Sequence, residues 1–234
     1  MFIFAHVFCG ALIGVVFWHL THDRRALPLC ILGAILPDLL DKSLAMLIPG
    51  VLGSGRTIGH SLLFCAVIVA SALVLWKYRH TLLGMAFACA VFSHQILDAM
   101  WSVPSTWYFP LMGPFSVFII PDYVGHYFWL EVSSPSEWVF AVASLLIIVL
   151  WYLNTPEHRV AFLTEERAGT ARIITAILLG GMGIYLLYFG LTSLPSAFFA
   201  PTYNPITDLM AGILALCGTF VLMKWPGISR TSME

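Results

Sequence analysis

The chain has 234 residues, of which 60% are hydrophobic and only 10% are charged, with a formal net charge of -1 at pH 7. The charged share of a soluble domain is about 25%, so this composition excludes an ordinary soluble protein and requires much of the apolar surface to face lipid. No block of basic residues is present, so the chain lacks the electrostatic signature of a nucleic-acid-binding protein.

Seven apolar segments have the length of a transmembrane helix, which needs about 20 mostly apolar residues. They cover residues 3–20, 27–48, 60–77, 81–101, 136–153, 172–193 and 206–224. The first lacks the basic region and cleavage site of a signal peptide, so a retained helix is predicted. The second contains Pro37, Asp38, Asp41 and Lys42, which makes a broken or re-entrant helix an alternative to a full span.

These segments predict an all-α fold, a polytopic helical membrane protein with about seven transmembrane helices. Residues 1–135 form the part that holds most of the polar residues, and 136–234 add three further helices, which we expect to join the same compact unit. Between the fourth and fifth spans, residues 104–135 are rich in aromatic residues and proline. Phe109-Pro110 and Gly113-Pro114 argue against a continuous helix there. We predict an interfacial loop at the outer face, where Trp and Tyr are favoured.

The distribution of Lys and Arg predicts the orientation, because basic residues accumulate on the cytoplasmic side of a membrane protein. With seven spans, nine of the eleven basic residues fall on the side that also holds the C-terminus. We therefore predict an outside N-terminus and a cytoplasmic C-terminus. The nine residues are Arg24, Arg25, Lys77, Arg79, Arg159, Arg167, Arg172, Lys224 and Arg230.

A group of polar residues within, beside or just after the first four spans falls near the outer side. An ionisable side chain at membrane depth is costly, so each one suggests a functional site. The two basic residues that depart from the positive-inside pattern, Lys42 and Arg56, belong to this group. Its members are His6, Asp38, Asp41, Lys42, Arg56, His60, Ser61, His94, Asp98, Asp122 and His126.

The spacing and chemistry of this group favour a metal site. His94 and Asp98 are four residues apart, so a helix places both on one face, and Asp38 and Asp41 are three apart. Imidazole and carboxylate ligands without thiolate suit zinc, with manganese or iron as alternatives. A bound metal lowers the pKa of water and so supports hydrolysis. Arg56 and Lys42 would then pair with an anionic substrate, because the Arg fork matches phosphate.

Each residue also has a simpler structural interpretation. His6 could make an interhelical hydrogen bond, Asp38 could cap a helix break, and His94 with Asp98 could form a structural hydrogen bond. Asp122 and His126 could be solvated loop residues, and Arg56 could bind lipid headgroups. Their concentration on one side of the membrane favours the metal site, in which Ser61 could support a ligand.

Four sequence runs resemble a known family: Met1-Phe-Ile-Phe-Ala-His6, Ile35-Leu-Pro-Asp-Leu-Leu-Asp-Lys42, Arg56-Thr-Ile-Gly-His60-Ser61 and His94-Gln-Ile-Leu-Asp98. They resemble the membrane-bound, metal-dependent hydrolases of the YdjM-like type, inner-membrane proteins of which some are under LexA control. The resemblance covers about residues 1 to 115. The order of the polar residues is also distantly similar to that of zinc-dependent phospholipases C and single-strand nucleases.

The resemblance implies that His6, Asp38, His60, His94 and Asp98 are metal ligands, with zinc as the expected ion and manganese as the alternative. This chain departs from the family at Gly55-Arg56, where the family often has His-Arg. That departure removes one possible ligand, for which Asp41 or His126 could compensate.

The expected function is hydrolysis of a phosphoester in a lipid or lipid-linked substrate at the outer face of a bacterial inner membrane. Arg56 and Lys42 would stabilise charge on the phosphoryl oxygens, and Asp41 would be a base or a further ligand. Membrane lipids are the expected partners, and nucleic acid is not. A transporter of protons or ions, or a non-catalytic membrane scaffold, are the alternatives. A protease is disfavoured, since neither His-Glu-x-x-His nor Gly-x-Ser-x-Gly occurs.

Overall fold

Long helices account for the apolar segments of the sequence. The computed structural model describes residues 3–48, 55–115, 122–154, 165–194, 196 and 204–225. Within these residues the fold is all-α and contains no strand, which confirms the predicted class. The helices are α1 (Ile3–Thr21), α2 (Ala26–Leu47), α3 (Leu62–Arg79), α4 (Leu83–Leu97), α5 (Pro104–Trp107), α6 (Tyr123–Val132), α7 (Pro135–Leu153), α8 (Glu165–Thr192) and α9 (Pro205–Lys224), with a 3-10 turn at Met100–Ser102.

Five described helices, α1, α3, α7, α8 and α9, are long and apolar enough to cross a membrane. This number is two below the seven spans predicted from the sequence. The fourth predicted span yields α4, whose 15 residues fall short of the bilayer thickness. The second yields α2, which has enough residues but includes Asp38, Asp41 and Lys42 in its last turns.

Helix α2 is one continuous helix with Pro37 inside it, so the break considered at this proline is absent. As predicted, the aromatic segment 104–135 is not one continuous helix. The prediction of a loop is only partly right. The described part of this segment contains the short helices α5 and α6. Asp122 begins α6, because its side chain accepts a hydrogen bond from the Gly125 backbone nitrogen.

The contacts divide the chain into two compact units, Met1–Ser133 and Ser134–Glu234. In the first unit α1, α2 and α4 pack on one another, and α3 packs on α4. Glycines permit this close approach: a Cβ atom at Gly10 would lie 2.7 Å from the Cys30 carbonyl oxygen, and one at Gly33 would lie 2.8 Å from that of Phe87. The joining of residues 1–135 and 136–234 in one unit stays a prediction.

In the second unit, α8 packs on α9 and α7 packs on α8. The predicted orientation of the chain also stays a prediction. It relied in part on Arg159 and Arg230, which lie outside the described residues.

Candidate metal centre

The packing of α1, α2 and α4 brings polar residues from four parts of the chain together. The first helix supplies His6, α2 supplies Asp38 and Asp41, and the end of α4 supplies His94, with Asp98 immediately after it. His60 comes from the segment before α3. This segment lies close against α2, as shown by Gly59, where a Cβ atom would be only 3.0 Å from the Pro37 carbonyl oxygen. All these polar residues are less than 10% exposed.

His60 and His94 point their Nε2 atoms at each other across 3.0 Å. The Nδ1 atom of His94 lies 2.7 Å from the Ala34 carbonyl oxygen, and that of His60 lies 2.7 Å from Asp41 Oδ2. A carbonyl and a carboxylate can only accept, so both Nδ1 atoms carry the proton and both Nε2 atoms present lone pairs. Two lone pairs at this distance require a proton or a metal ion between them.

Two carboxylates complete this arrangement. Asp38 Oδ1 lies 3.7 Å from His60 Nε2 and 3.8 Å from His94 Nε2, and Asp98 Oδ2 lies 3.6 Å from His60 Nε2. One ligand atom from each of Asp38, His60, His94 and Asp98 fits within a group 4.8 Å across. Ligands at about 2.0 Å from a tetrahedral ion are about 3.3 Å apart, so small side-chain shifts would close this group around one metal ion.

Asp41 is fully buried and holds the segment that contains His60. Its carboxylate accepts hydrogen bonds from the backbone nitrogens of Thr57 (2.6 Å), Gly59 (2.9 Å) and His60 (3.3 Å) as well as from His60 Nδ1. With both oxygens engaged by donors, the geometry favours a positioning role that fixes the tautomer of His60. A role for Asp41 as base or metal ligand stays a prediction.

Each candidate carboxylate ligand is paired with a basic residue. Lys42 Nζ lies 2.6 Å from Asp38 Oδ2, and one Arg56 guanidinium nitrogen lies 3.0 Å from Asp98 Oδ2. The Arg56 side chain is 42% exposed and that of Lys42 is 25% exposed, whereas the histidines are fully buried. The two basic residues therefore lie where an anion could reach the cluster.

His6 adjoins the group without belonging to the set of four. Its ring stacks on that of His94 with centroids 3.8 Å apart, and its Nε2 atom lies 3.2 Å from Asp98 Oδ1. Its Nδ1 atom is buried without a hydrogen-bond partner. His6 is thus placed to orient Asp98, and its role as a ligand stays a prediction.

Three further predicted residues have structural surroundings of their own. Ser61 caps α3, since its Oγ atom accepts from the Phe64 backbone nitrogen and donates to the Ile58 carbonyl. Asp122, which caps the N-terminus of α6, and His126, which lies on α6, are both exposed. Within the described ranges, the group of metal-ligand atoms includes none of these three.

Gln95 and Ala34 are contributors that the sequence did not reveal. The fully buried Gln95 amide donates to the carbonyls of Gly59 and Ser61 at 3.0 Å and accepts a hydrogen bond from the Trp107 indole at 2.9 Å. A buried amide in an apolar helix next to His94 is a detectable signal. The carbonyl of Ala34 gives no such signal. Every residue has a backbone carbonyl, so the residue type at position 34 does not indicate this contact.

Gly55 has the backbone conformation of a left-handed residue, with φ of 62°. A residue with a Cβ atom is disfavoured at such a φ, so glycine suits this position. The four candidate ligands come together without a side chain at residue 55. The missing histidine therefore does not prevent a four-ligand group from forming.

The donor set fits a divalent metal, because it combines two imidazole nitrogens with two carboxylates in a buried group. It does not distinguish zinc from manganese. Among known proteins, a family model described as YdjM inner membrane protein matches residues 1–160. No curated protein and no solved structure matches the chain. The matched residues include every candidate ligand.

Proposed function

This chain belongs to the YdjM inner membrane protein family, and we propose that it is a metal-dependent hydrolase of that membrane. The observation that supports a metal is the pair of facing Nε2 atoms of His60 and His94, whose Nδ1 atoms are both held by acceptors. Asp38 and Asp98 complete the ligand set, with zinc as the proposed ion and manganese as the alternative. When bound, the ion would supply a Lewis acid and lower the pKa of water.

The other residues of the cluster prepare the site. Asp41 and the Ala34 carbonyl hold the two imidazoles in the tautomer that leaves Nε2 available. His6 orients Asp98 through the contact with its Oδ1 atom. The network contains three carboxylates, Asp38, Asp41 and Asp98, against two basic residues, so its excess negative charge favours a bound cation.

The proposed substrate is a phosphoester of a lipid or of a lipid-linked molecule. Support comes from the partly exposed Arg56 and Lys42, which would bind phosphoryl oxygens and stabilise the charge that develops on them. We further propose that the N-terminus is outside, the C-terminus is cytoplasmic and the site lies near the outer face. Counted over the seven spans predicted from the sequence, the excess of basic residues among the opposite loops supports this orientation.

Metal content measured by elemental mass spectrometry is the first test. We expect about one equivalent of zinc or manganese in the detergent-purified protein, and its loss in His60→Ala and His94→Ala. His19→Ala is the matched control, because His19 is an exposed histidine at the other end of α1. Wild-type protein that stays metal-free after metal is resupplied would contradict the proposal.

Turnover of phospholipids tests the reaction. Arg56→Ala is expected to keep its metal and to lose about 100-fold in turnover number, the effect of removing one charge-stabilising donor. The products, resolved by mass spectrometry, would identify which phosphoester bond is cleaved. Arg56→Ala with unchanged turnover would remove this residue from the proposed mechanism.

A proton-translocating protein is the second candidate function, because a proton shared between the two Nε2 atoms at 3.0 Å would also explain their approach. The same metal analysis separates the two functions. A metal-free protein that moves protons across liposome membranes, and stops doing so in His94→Ala, would favour this alternative.

A further inference from the structure

Helix α6 is attached to the first turn of α1. The two carboxylate oxygens of Glu131 accept hydrogen bonds of 3.3 Å from the backbone nitrogens of Ile3 and Phe4, which belong to the first turn of α1. Because α1 has the length and composition of a membrane span, its first turn lies at a membrane surface. The contact with Glu131 therefore places α6 at that surface.

The size and exposed surface of α6 suit this location. Ten residues span about 15 Å, so the helix is too short to cross a bilayer. Phe128 is 57% exposed and Trp129 is 67% exposed. Exposed aromatic side chains on a short helix are typical of the interface between headgroups and acyl chains.

The side of α6 away from Glu131 has a shallow cavity of about 450 Å³. Its lining residues recur every three or four positions, as expected for one face of a helix. Among the described lining residues there is no Lys and no Arg, so the cavity has no fixed positive charge. The lining consists of Asp122, Gly125, His126, Trp129, Leu130 and Ser133.

The carboxylate of Asp122 is fixed at one end of this cavity. Its Oδ1 atom accepts a hydrogen bond of 3.2 Å from the Gly125 backbone nitrogen. A Cβ atom at residue 125 would meet the Asp122 carboxylate first, so a larger residue there would displace this carboxylate. Trp129 lies two helical turns from Asp122 and lines the same cavity. A carboxylate and an indole ring together are the groups that bind an alkylammonium ion.

We propose that α6 lies in the headgroup layer and that the cavity on the side away from Glu131 binds the ammonium group of a zwitterionic phospholipid. Asp122 supplies the opposite charge, and Trp129 supplies the aromatic face. The inference extends the proposed function by assigning the headgroup class of the lipid. Its test measures binding and not turnover, so the two proposals can fail separately.

The test compares two short-chain lipids with identical acyl chains, dihexanoyl phosphatidylethanolamine and dihexanoyl phosphatidylglycerol. Their affinities for the full-length protein in detergent are measured by isothermal titration calorimetry. We expect the wild type to prefer the ethanolamine lipid. Asp122→Asn, which preserves the helix cap, and Trp129→Leu should each reduce that preference about two- to fivefold, the range for an exposed charge or cation–π contact.

Phe128→Leu is the matched control, because Phe128 is an exposed aromatic residue on the same helix that does not line the cavity. Its preference should equal that of the wild type. An equal loss in Phe128→Leu, or no wild-type preference for the ethanolamine lipid, would overturn the proposal. Soluble phosphorylethanolamine that binds as tightly as the lipid would overturn the assignment of a lipid ligand.

His60→Ala separates this proposal from the hydrolase. We expect it to retain the wild-type lipid preference, because His60 does not line the cavity. A retained preference together with an absence of phospholipid turnover in the wild type would contradict only the hydrolase. Turnover without any headgroup preference would contradict only the ammonium site.

Discussion

The units Met1–Ser133 and Ser134–Glu234 differ in the partners of their buried polar side chains. The first buries a connected network in which Asp41 accepts several hydrogen bonds and two other carboxylates have basic partners. In the second, α8 and α9 pack through glycines, and Asp208 accepts a hydrogen bond of 2.6 Å from Ser196 while its Oδ1 atom is buried without a partner.

This difference illustrates two ways of stabilising packed helices in a membrane, close packing through small residues and a buried polar network. Small residues let the α8 and α9 backbones approach, and van der Waals contact then supplies the stability. A buried polar network is more demanding, since each member depends on its partners and the loss of one leaves others unpaired. The first unit should therefore be more sensitive to conservative polar substitutions, whereas the second should be more sensitive to changes in volume.

The largest effect is expected for Asp41→Asn. An amide cannot accept hydrogen bonds on both of its ends, so it would place an N–H group against one of the backbone donors that surround residue 41. We expect a loss of about 3 kcal/mol in the free energy of unfolding and a loss of bound metal. Unfolding in mixed detergent micelles gives the first quantity.

Asp208→Asn is the control for this prediction in the second unit. It keeps an oxygen that can accept from Ser196, so we expect a change below about 1 kcal/mol. If both substitutions destabilise the protein equally, the contrast between the units is wrong.

Gln95→Leu should have the next largest effect. It removes the amide that ties α4 to the segment before α3, leaving the carbonyls of Gly59 and Ser61 without this donor. We expect a loss of about 2 kcal/mol in stability and a decrease of about 10-fold or more in metal affinity, the effect of a residue that supports ligands. Competition with a chelator measures that affinity. Unchanged affinity in a destabilised variant would limit Gln95 to a role in folding.

A smaller effect, confined to the second unit, is expected for Gly212→Ala. The added Cβ atom would lie 2.9 Å from Leu187 Cγ and 3.0 Å from the Gly183 carbonyl oxygen, so α8 and α9 would have to separate. We expect a loss of about 1 kcal/mol in stability, the lower end of the range for overpacking, with normal metal content, because no candidate ligand lies in the described part of this unit.

Gly181→Ala is the matched control, because its added Cβ atom would have no described atom within 4 Å apart from its chain neighbours and the backbone of its own helix. Alanine favours the helix by about 1 kcal/mol over glycine, so this variant should be as stable as the wild type or more stable. A decrease in metal content in either glycine variant would show that the second unit influences the site.

The apolar segments were sufficient to predict the helices, since long runs of hydrophobic residues have few other stable structures in lipid. They were not sufficient to count the spans. Length alone suggested a span at 81–101, but α4 ends at Leu97 and a left-handed residue, Ala99, precedes the 3-10 turn. The local backbone at such a turn depends on tertiary contacts that hydrophobicity does not encode.

Composition was enough to predict the class of the protein and most of the polar residues in its cluster, although Gln95 was missed and Asp122 and His126 lie outside the ligand group. Both follow from composition: the chain is too apolar for water, and ionisable residues are too costly in lipid to occur without partners. The contacts that give each of these residues its own role became visible only in the tertiary structure. Asp38 and Asp41, three residues apart on α2, differ because Asp38 faces the Nε2 atoms of two histidines while Asp41 faces three backbone nitrogens and Nδ1 of His60. That distinction arises from the packing of α2 against α4 and the segment before α3, contacts between residues far apart in the chain.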